Sequence, residues 1–497
     1  MRWLEHHTFR GLRRLSVNTM LQIGGQILPV GAAAVAIPFV YRNLGAADFG
    51  IFTIALSAMG LFSILDLGLG RALVRFAARD FARGDMAGAA SVVAQSGIFL
   101  GAVSVTLALG VFLASPALAS HWVRSSPGSH GTVTQCLAII AAALPVGAMT
   151  SVFRSVLEAR EDFLSIGIVQ SGVGTSMYAV ILVLSLAHAD VQTIIAAAVG
   201  SRLLGVICYV VRALAVWPDG FPWKRVRLRV HKDFRDFSFW TVGANVIGAS
   251  IMYGDRVLLV KLFGLQEVPY YNVPLEFFGR LMILMNAVAT VIFPALSRVS
   301  DNKQLFERGY VVFMTFLSAA AGLVLLATAI ATPQILLHWL GRSFEEHSTL
   351  IVRTLLVGLE FQCLNVMALA SINARGVSRP ITVMLGLEFP IYFCALAYCG
   401  LHFGLEGIAI VWSGRVVIEF LCYTLFQLRL VRSGGARSQK IGAALSVANA
   451  IPLLLVAVSA GLASVVAIST VVVAAAIAWS LFELRDAGIV GLRGERA

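Results

Sequence analysis

Five arginines stand inside long apolar stretches: Arg202, Arg256, Arg280, Arg353 and Arg415. An arginine at the bilayer centre costs roughly 2.5–3.5 kcal/mol on insertion scales, so several facing lipid would be a heavy burden. They are expected to face inward. The guanidinium is a planar fork that stays charged in a low-dielectric cavity and grips phosphate or carboxylate through paired hydrogen bonds. Arg202 and Arg415 fall near mid-stretch and Arg280 about two turns from an end. Arg256 and Arg353 lie within roughly one turn of an end, close enough to snorkel to the interface.

Six carboxylates share these stretches, Asp66, Asp255, Glu276, Glu360, Glu388 and Glu419, and are candidates for coupling transport to H+ or Na+. Pairing is the alternative. Glu276 and Arg280, and Arg415 and Glu419, are i,i+4 neighbours, Asp255 adjoins Arg256, and Asp66 lies among Arg71 and Arg75. Glu360 and Glu388 have no such local partner. Asn18, Gln22 and Gln26, at i, i+4 and i+8, form a neutral polar stripe suited either to a hydrophilic lumen or to helix-to-helix contact.

Other chemistry has no foundation in the pattern. The six cysteines are scattered, without CxxC or Cys/His spacing, and read as small core hydrophobes. Six of nine histidines, His121, His130, His188, His338, His347 and His402, fall between stretches without ligand spacing and read as interfacial. Gly68-Leu-Gly70 follows no strand, and no GxxxxGK[ST] exists, so ATP is not expected as energy source. No cofactor or metal is called for.

The elements that must position these residues follow from composition. Of 497 residues, 58% are apolar and only 13% charged, with a mean hydropathy of +0.85, against about 25% charged in soluble domains. A water-soluble enzyme is excluded. Fourteen apolar stretches run approximately 16–40, 49–70, 88–115, 132–153, 163–186, 191–211, 236–260, 272–297, 308–332, 350–371, 380–401, 406–428, 441–461 and 463–483. The first is too long for a signal-peptide core and is read as uncleaved.

With the N-terminus inside, inner segments hold 29 Lys/Arg, outer loops 4, and the stretches themselves the remaining 5. One missed or invented helix would scramble that alternation, so the positive-inside rule supports fourteen spans with both termini cytoplasmic. The net charge of +12 belongs to these loops. Trp223-Lys-Arg-Val-Arg-Leu-Arg-Val-His-Lys232 is read as a juxtamembrane anchor on anionic lipid, not a nucleic-acid arm.

An internal repeat appears at a shift of 219 residues. Leu44-Gly-Ala-Ala-Asp48 falls on Phe263-Gly-Leu-Gln-Glu267, Arg42 on Lys261, and Arg79 on Arg298. Near a shift of 215, Leu157-Glu-Ala-Arg160 falls on Ile372-Asn-Ala-Arg375. Arg202 and Arg415 each precede a Cys-Tyr pair, Cys208-Tyr209 and Cys422-Tyr423. The expected fold is an all-α polytopic membrane protein of about 14 transmembrane helices, two pseudo-symmetric six-helix lobes plus two appended C-terminal helices. Its parts are a basic tail 1–15, an N-lobe 16–213, a basic loop 214–235, a C-lobe 236–428, appended helices 441–483 and a tail 484–497. An offset of six helices gives both lobes one orientation, with a pseudo-twofold axis along the membrane normal and a site expected between them.

Tyr41-Arg-Asn-Leu-Gly-Ala-Ala-Asp-Phe-Gly50 followed by Leu65-Asp-Leu-Gly-Leu-Gly70 resembles the first helical hairpin of the polysaccharide or O-antigen flippase family, within the MOP exporter superfamily. Tyr253-Gly-Asp-Arg-Val-Leu-Leu-Val-Lys-Leu-Phe-Gly264, with Tyr270-Tyr271 and Phe293-Pro-Ala-Leu-Ser-Arg298, carries the same resemblance across helices 7 and 8. It implies an exporter of undecaprenyl-pyrophosphate-linked oligosaccharide from inner to outer leaflet of the bacterial inner membrane, working beside polysaccharide polymerase and export machinery. The arginines would then form a basic patch for the pyrophosphate. One departure stands out: lipid II flippases of this fold carry cationic residues within helix 1, whereas nothing basic lies here between Arg14 and Arg42. The alternatives are a cation-coupled multidrug exporter, which lacks the paired hairpin motifs, and a membrane glycosyltransferase or polymerase, for which the outer loops are too short.

Overall fold

The computed structural model describes residues 2–64, 69–122, 130–217, 219–223, 226, 232–283, 303–374 and 379–430. Among them the chain is helical and contains no strand. The helices are α1 (Arg2–Ile64), α2 (Leu69–Ala82), α3 (Met86–Ala117), α4 (His130–Ala159), α5 (Phe163–Leu186), α6 (Val191–Leu214), α7 (Lys232–Phe263), α8 (Val268–Gly279), α9 (Lys303–Trp339), α10 (Arg342–Ala374) and α11 (Arg379–Leu430).

Eight helices among the described residues are long and apolar enough to cross a membrane. Two of these are bent rods. Gly45 (φ 70°) breaks α1 and Gly404 (φ 65°) breaks α11, and a left-handed backbone is open to glycine at little cost. A straight helix over Val383–Phe426, 44 residues, would run about 66 Å, twice the roughly 30 Å hydrocarbon core. The outward surfaces carry Phe99, Leu109, Phe112 and Leu113 on α3, Val183 on α5, and Ile391 and Leu401 on α11, all exposed. Apolar patches of this extent belong against lipid. The protein is multi-pass and all-α. The stretches 441–461 and 463–483, most of 272–297, and Asp66 lie outside the described residues.

The repeat is legible in the backbone. Gly45 and Gly264 (φ 81°), 219 residues apart, both adopt positive φ. So do His188 (φ 55°) and Gly404, 216 residues apart.

The described structure divides into two compact units, Met1–Asn272 with Leu385–Phe393, and Val273–Met384 with Cys394–Ala497. In the first, α1 packs along α5, where a Cβ placed on Gly25 would sit 3.0 Å from the Gly167 carbonyl oxygen. Next to α1 comes an element the hydropathy pattern does not announce. Residues 71–87 read as a basic loop, but 69–82 form the amphipathic helix α2. Leu73, Phe76, Ala77 and Phe81, spaced at helical periodicity, bury against Val93 and Leu100 of α3, Val152, Val156 and Leu157 of α4, and Tyr209 and Trp217. Trp217 Nε1 donates to the Met86 carbonyl at 3.2 Å, and Asp85 caps α3 by accepting from Gly88 N at 2.8 Å.

In the second unit α9 packs on α10, and α10 packs on the second arm of α11. Ser413 Oγ donates to the Thr354 carbonyl at 2.7 Å, and Gly358 lies flush against the Trp412 ring.

Candidate functional site

The densest group of sequence-selected residues lies in the first unit, where α7 and the start of α8 meet the second arm of α1. Asp255 is 0% exposed and Arg256 6%. Asp255 Oδ1 accepts from the Arg256 backbone N at 2.8 Å and from Arg256 Nη1 at 3.2 Å, and Oδ2 accepts from Tyr271 OH at 3.0 Å. Arg256 Nε donates to Asn272 Oδ1 at 2.9 Å, Nη1 donates to the Met252 carbonyl at 2.6 Å, and the guanidinium lies 4.7 Å from the Tyr253 ring centroid. Asn272 Nδ2 then donates to Ser57 Oγ at 2.9 Å and to the Thr53 carbonyl at 3.2 Å. Arg256 therefore turns into the protein and does not reach out to an interface.

Two local features make this junction. Gly50 lets α1 approach the turn after α7, since a Cβ there would lie 1.9 Å from the Leu265 carbonyl oxygen. The repeat supplies the partners: Asn272 stands 219 residues after Thr53, so repeat-equivalent positions touch one another. A buried ion pair is tolerated when its remaining donors and acceptors are met, and here they are.

Arg202 also lies in the first unit, half-buried, its Nη1 donating to the Met59 carbonyl of α1 at 3.0 Å. In the second unit Arg415 and Glu419, both largely buried, stand 3.5 Å apart. Around Glu419, Tyr423 OH donates to Oε1 at 2.8 Å and Asn365 Nδ2 reaches Oε2 at 3.4 Å. Arg353 Nε donates to the Ala329 carbonyl at 3.2 Å. Arg280 is different. Its side chain is 50% exposed and Glu276 lies 3.9 Å away, beyond hydrogen-bond reach.

Glu360 is 0% exposed on α10 and, among the described residues, accepts one hydrogen bond, from Ser318 Oγ of α9 at 2.9 Å. Glu388 and Gln26 are half-buried. The backbone at Asn18 and Gln22 is helical within α1, and their side chains lie outside the described residues, as does Asp66. No group of three or more His, Cys, Asp or Glu among the described residues is placed to hold a metal ion.

The structure thus brings Asp255 to Arg256 and Arg415 to Glu419, and adds Thr53, Ser57, Asn272, Ser318 and Asn365, which the sequence reading does not single out, together with Tyr271 and Tyr423, which it quotes only as parts of the resemblance and the repeat. Those partners are neutral, and a hydropathy window averages them away. A signal existed for two of them: extending the 219-residue shift by five positions past Asp48 sets Thr53 on Asn272.

The family described as polysaccharide biosynthesis protein matches residues 39–349. A Shigella flexneri protein named "Putative O-antigen transporter" is 24% identical over 407 residues, 81% of this chain and 95% of that protein. Among solved structures, the lipid II flippase MurJ in an inward closed conformation superposes with a TM-score of 0.69 at 14% identity, covering 95% of this chain and 99% of that one. An inward-facing multidrug resistance MATE family transporter of the MOP superfamily gives 0.59 at 15% identity, covering 82% and 94%. At such identities these likenesses establish the fold.

Proposed function

The chain belongs to the polysaccharide biosynthesis protein family, and from that premise we propose that it is a flippase for an undecaprenyl-pyrophosphate-linked oligosaccharide. It moves this substrate from the inner to the outer leaflet of the bacterial inner membrane by alternating access, with both termini cytoplasmic. The observation that carries the reading is the alignment that takes in 95% of the O-antigen transporter homologue, so the resemblance extends well beyond a shared helix count.

The intramembrane arginines differ in what they offer a pyrophosphate. Arg202 and Arg415 already bond within the protein and contribute a positive field. Arg280, half-exposed with its carboxylate at 3.9 Å, is the guanidinium open to an incoming phosphate and is the proposed contact. A pyrophosphate of about two negative charges crossing outward moves with the membrane potential, worth about 2.3 kcal/mol per charge per 100 mV. Transport is therefore expected to follow membrane potential and to ignore ATP.

Proteoliposomes loaded with labelled lipid-linked oligosaccharide test this, reading outer-leaflet exposure with an impermeant glycosidase. Wild-type protein should flip the lipid faster under an imposed potential of the physiological sign. Arg280→Ala should lose at least tenfold, about 1.4 kcal/mol, with an unchanged unfolding temperature. Wild-type flipping by that variant would remove Arg280 from the substrate path. Extrusion of cationic dyes with no lipid flipping would favour the multidrug reading that the MATE-like fold also permits.

A further inference from the structure

Glu360 is the carboxylate that the proposed pathway leaves without a task. It is 0% exposed, and so is Ser318, which donates to Oε1 at 2.9 Å. Among the described residues Oε2 has no hydrogen-bond partner. One turn along α10, buried Cys363 lies with its Sγ 3.2 Å from Met282 Sδ, and on α9 Thr315, 0% exposed, precedes Ser318 by one turn. Leu356 and Leu364, one turn to either side on α10, and Leu359 and Leu317, next in sequence to Glu360 and Ser318, are all buried.

An ionised carboxylate in such surroundings needs a cation or several donors. Among the described residues it has one donor. Among the described residues, the charged groups on α8, α9, α10 and the second arm of α11 are committed elsewhere or lie at a distance. On α10 itself, Arg353 stands seven residues earlier, about 10 Å along the axis, and bonds to Ala329. On α11, Arg415 and Glu419 gather round Asn365, which at about 100° per residue projects well away from Glu360. Arg280, just past α8, stands 3.9 Å from Glu276 of α8, and both side chains are partly exposed. On α9, the described side chains from 314 onward carry no ionisable group before His338, more than five turns from Ser318.

A hard metal cation such as Na+ would need a cage of oxygens. Here the next turn of α10 brings the Cys363 sulfur, itself 3.2 Å from Met282 Sδ, a soft donor suited to other metals, and the Ser318 hydroxyl already donates to the carboxyl. A proton meets the requirement with no further ligand.

We propose that Glu360, held by Ser318 in the α9–α10 seam, is the site at which this transporter binds the proton that it exchanges during its cycle. A proton from water adds to Oε2, forming one O–H bond and neutralising the carboxylate, and the neutral acid is occluded in the state seen here. Release reverses the step when the seam opens to the other compartment. The proposal rests on the reading of the chain as a transporter, and its first test does not.

That test is infrared spectroscopy on the purified full-length protein at neutral pH. A carbonyl stretch of a protonated, weakly hydrogen-bonded carboxyl should be present in wild type, absent in Glu360→Gln, and shifted in Ser318→Ala. Glutamine keeps shape and neutrality, so Glu360→Gln should fold, and its unfolding temperature checks that. The second test is transport in proteoliposomes under a pH gradient. Wild-type accumulation should change about tenfold per pH unit for one coupled proton, and Glu360→Gln should lose that dependence. No carboxyl band at neutral pH, a band that survives Glu360→Gln, or an unaltered gradient response in that variant would each overturn the site. A band with the expected behaviour in a protein that flips no lipid-linked oligosaccharide would overturn the functional reading and leave the site standing.

Discussion

Asp255 and Glu360 are buried to the same degree, 0% exposed in each case, yet they sit in opposite kinds of site. Asp255 receives two bonds from Arg256 and one from Tyr271. Glu360 receives one from a serine. Burial alone therefore does not decide what an intramembrane carboxylate does. The donors differ: Asp255 accepts three hydrogen bonds, two of them from the cationic Arg256, whereas Glu360 accepts one from a neutral hydroxyl among the described residues, which leaves room for a proton. The first arrangement is a structural joint between α1, α7 and α8, and the second is the place where charge can change.

The comparison breaks most visibly at Arg256. Replacing it with glutamine keeps polarity but shortens the side chain and strips the charge from a buried partner, and cutting one side of such a pair costs about 3–5 kcal/mol. Purified Arg256→Gln should unfold far below wild type in detergent, followed by tryptophan fluorescence. Glu360→Gln should lie within about 1 kcal/mol of wild type, because it replaces a neutral acid by a neutral amide. Equal losses in the two variants would mean that both carboxylates are charged, and the distinction would fall.

How far this was visible in the sequence differs between the regions. Apolar length and loop charge mark the helical stretches, and the resemblance of Tyr41–Gly50 and Tyr253–Gly264 marks the family, because both are properties of continuous segments. The absence of a local partner for Glu360 is also a sequence property. What completes the Asp255 site is not, since Ser57 and Asn272 meet across 215 residues and neither disturbs a hydropathy average. Counting along its stretch puts Arg256 near the membrane edge, and counting cannot say which way a side chain turns. α2 escapes a hydropathy window for a related reason: Arg71, Arg75 and Arg79 lower the local average, while the buried stripe of Leu73, Phe76 and Ala77 needs a helical period to be seen.

Gly50 sharpens the comparison from the backbone side. A methyl group there collides with the Leu265 carbonyl, which is main chain and cannot swing aside. Overpacking of this kind costs about 1–3 kcal/mol, and α1 must retreat from the turn after α7. Asn272 should then lose its bonds to Ser57 and Thr53. Gly50→Ala should accordingly lower the unfolding temperature less than Arg256→Gln does, while the Glu360 carboxyl band stays in place. Loss of that band in Gly50→Ala would show that the two sites respond together.

The smallest effect belongs to an acid–base pair of the same chemistry placed in the open. Asp162, in the turn between α4 and α5, is partly desolvated, which by itself raises its affinity for a proton. The bonds it accepts from the Ser165 backbone N and side chain, together with Arg212 at 3.2 Å, outweigh that and hold its carboxyl below the usual carboxylate range. A depressed folded-state value means that the stabilisation is present above the unfolded pKa of about 3.9 and is lost as pH falls through the folded value. The Arg212 side chain is 55% exposed, so water and salt screen the pair and its worth is below about 1 kcal/mol. Asp162→Asn retains an acceptor for the Ser165 backbone N and removes only the charge. Its unfolding temperature should fall slightly below wild type at neutral pH, and the two curves should converge as the pH drops below about 4. Added salt should close the same gap at neutral pH and leave the Arg256→Gln deficit untouched, because a pair 6–7% exposed or less is beyond the reach of ions in solution. A gap at Arg256 that salt also closed would mean that the Asp255 joint is solvated, and its kinship would then be with Asp162 and not with the buried class.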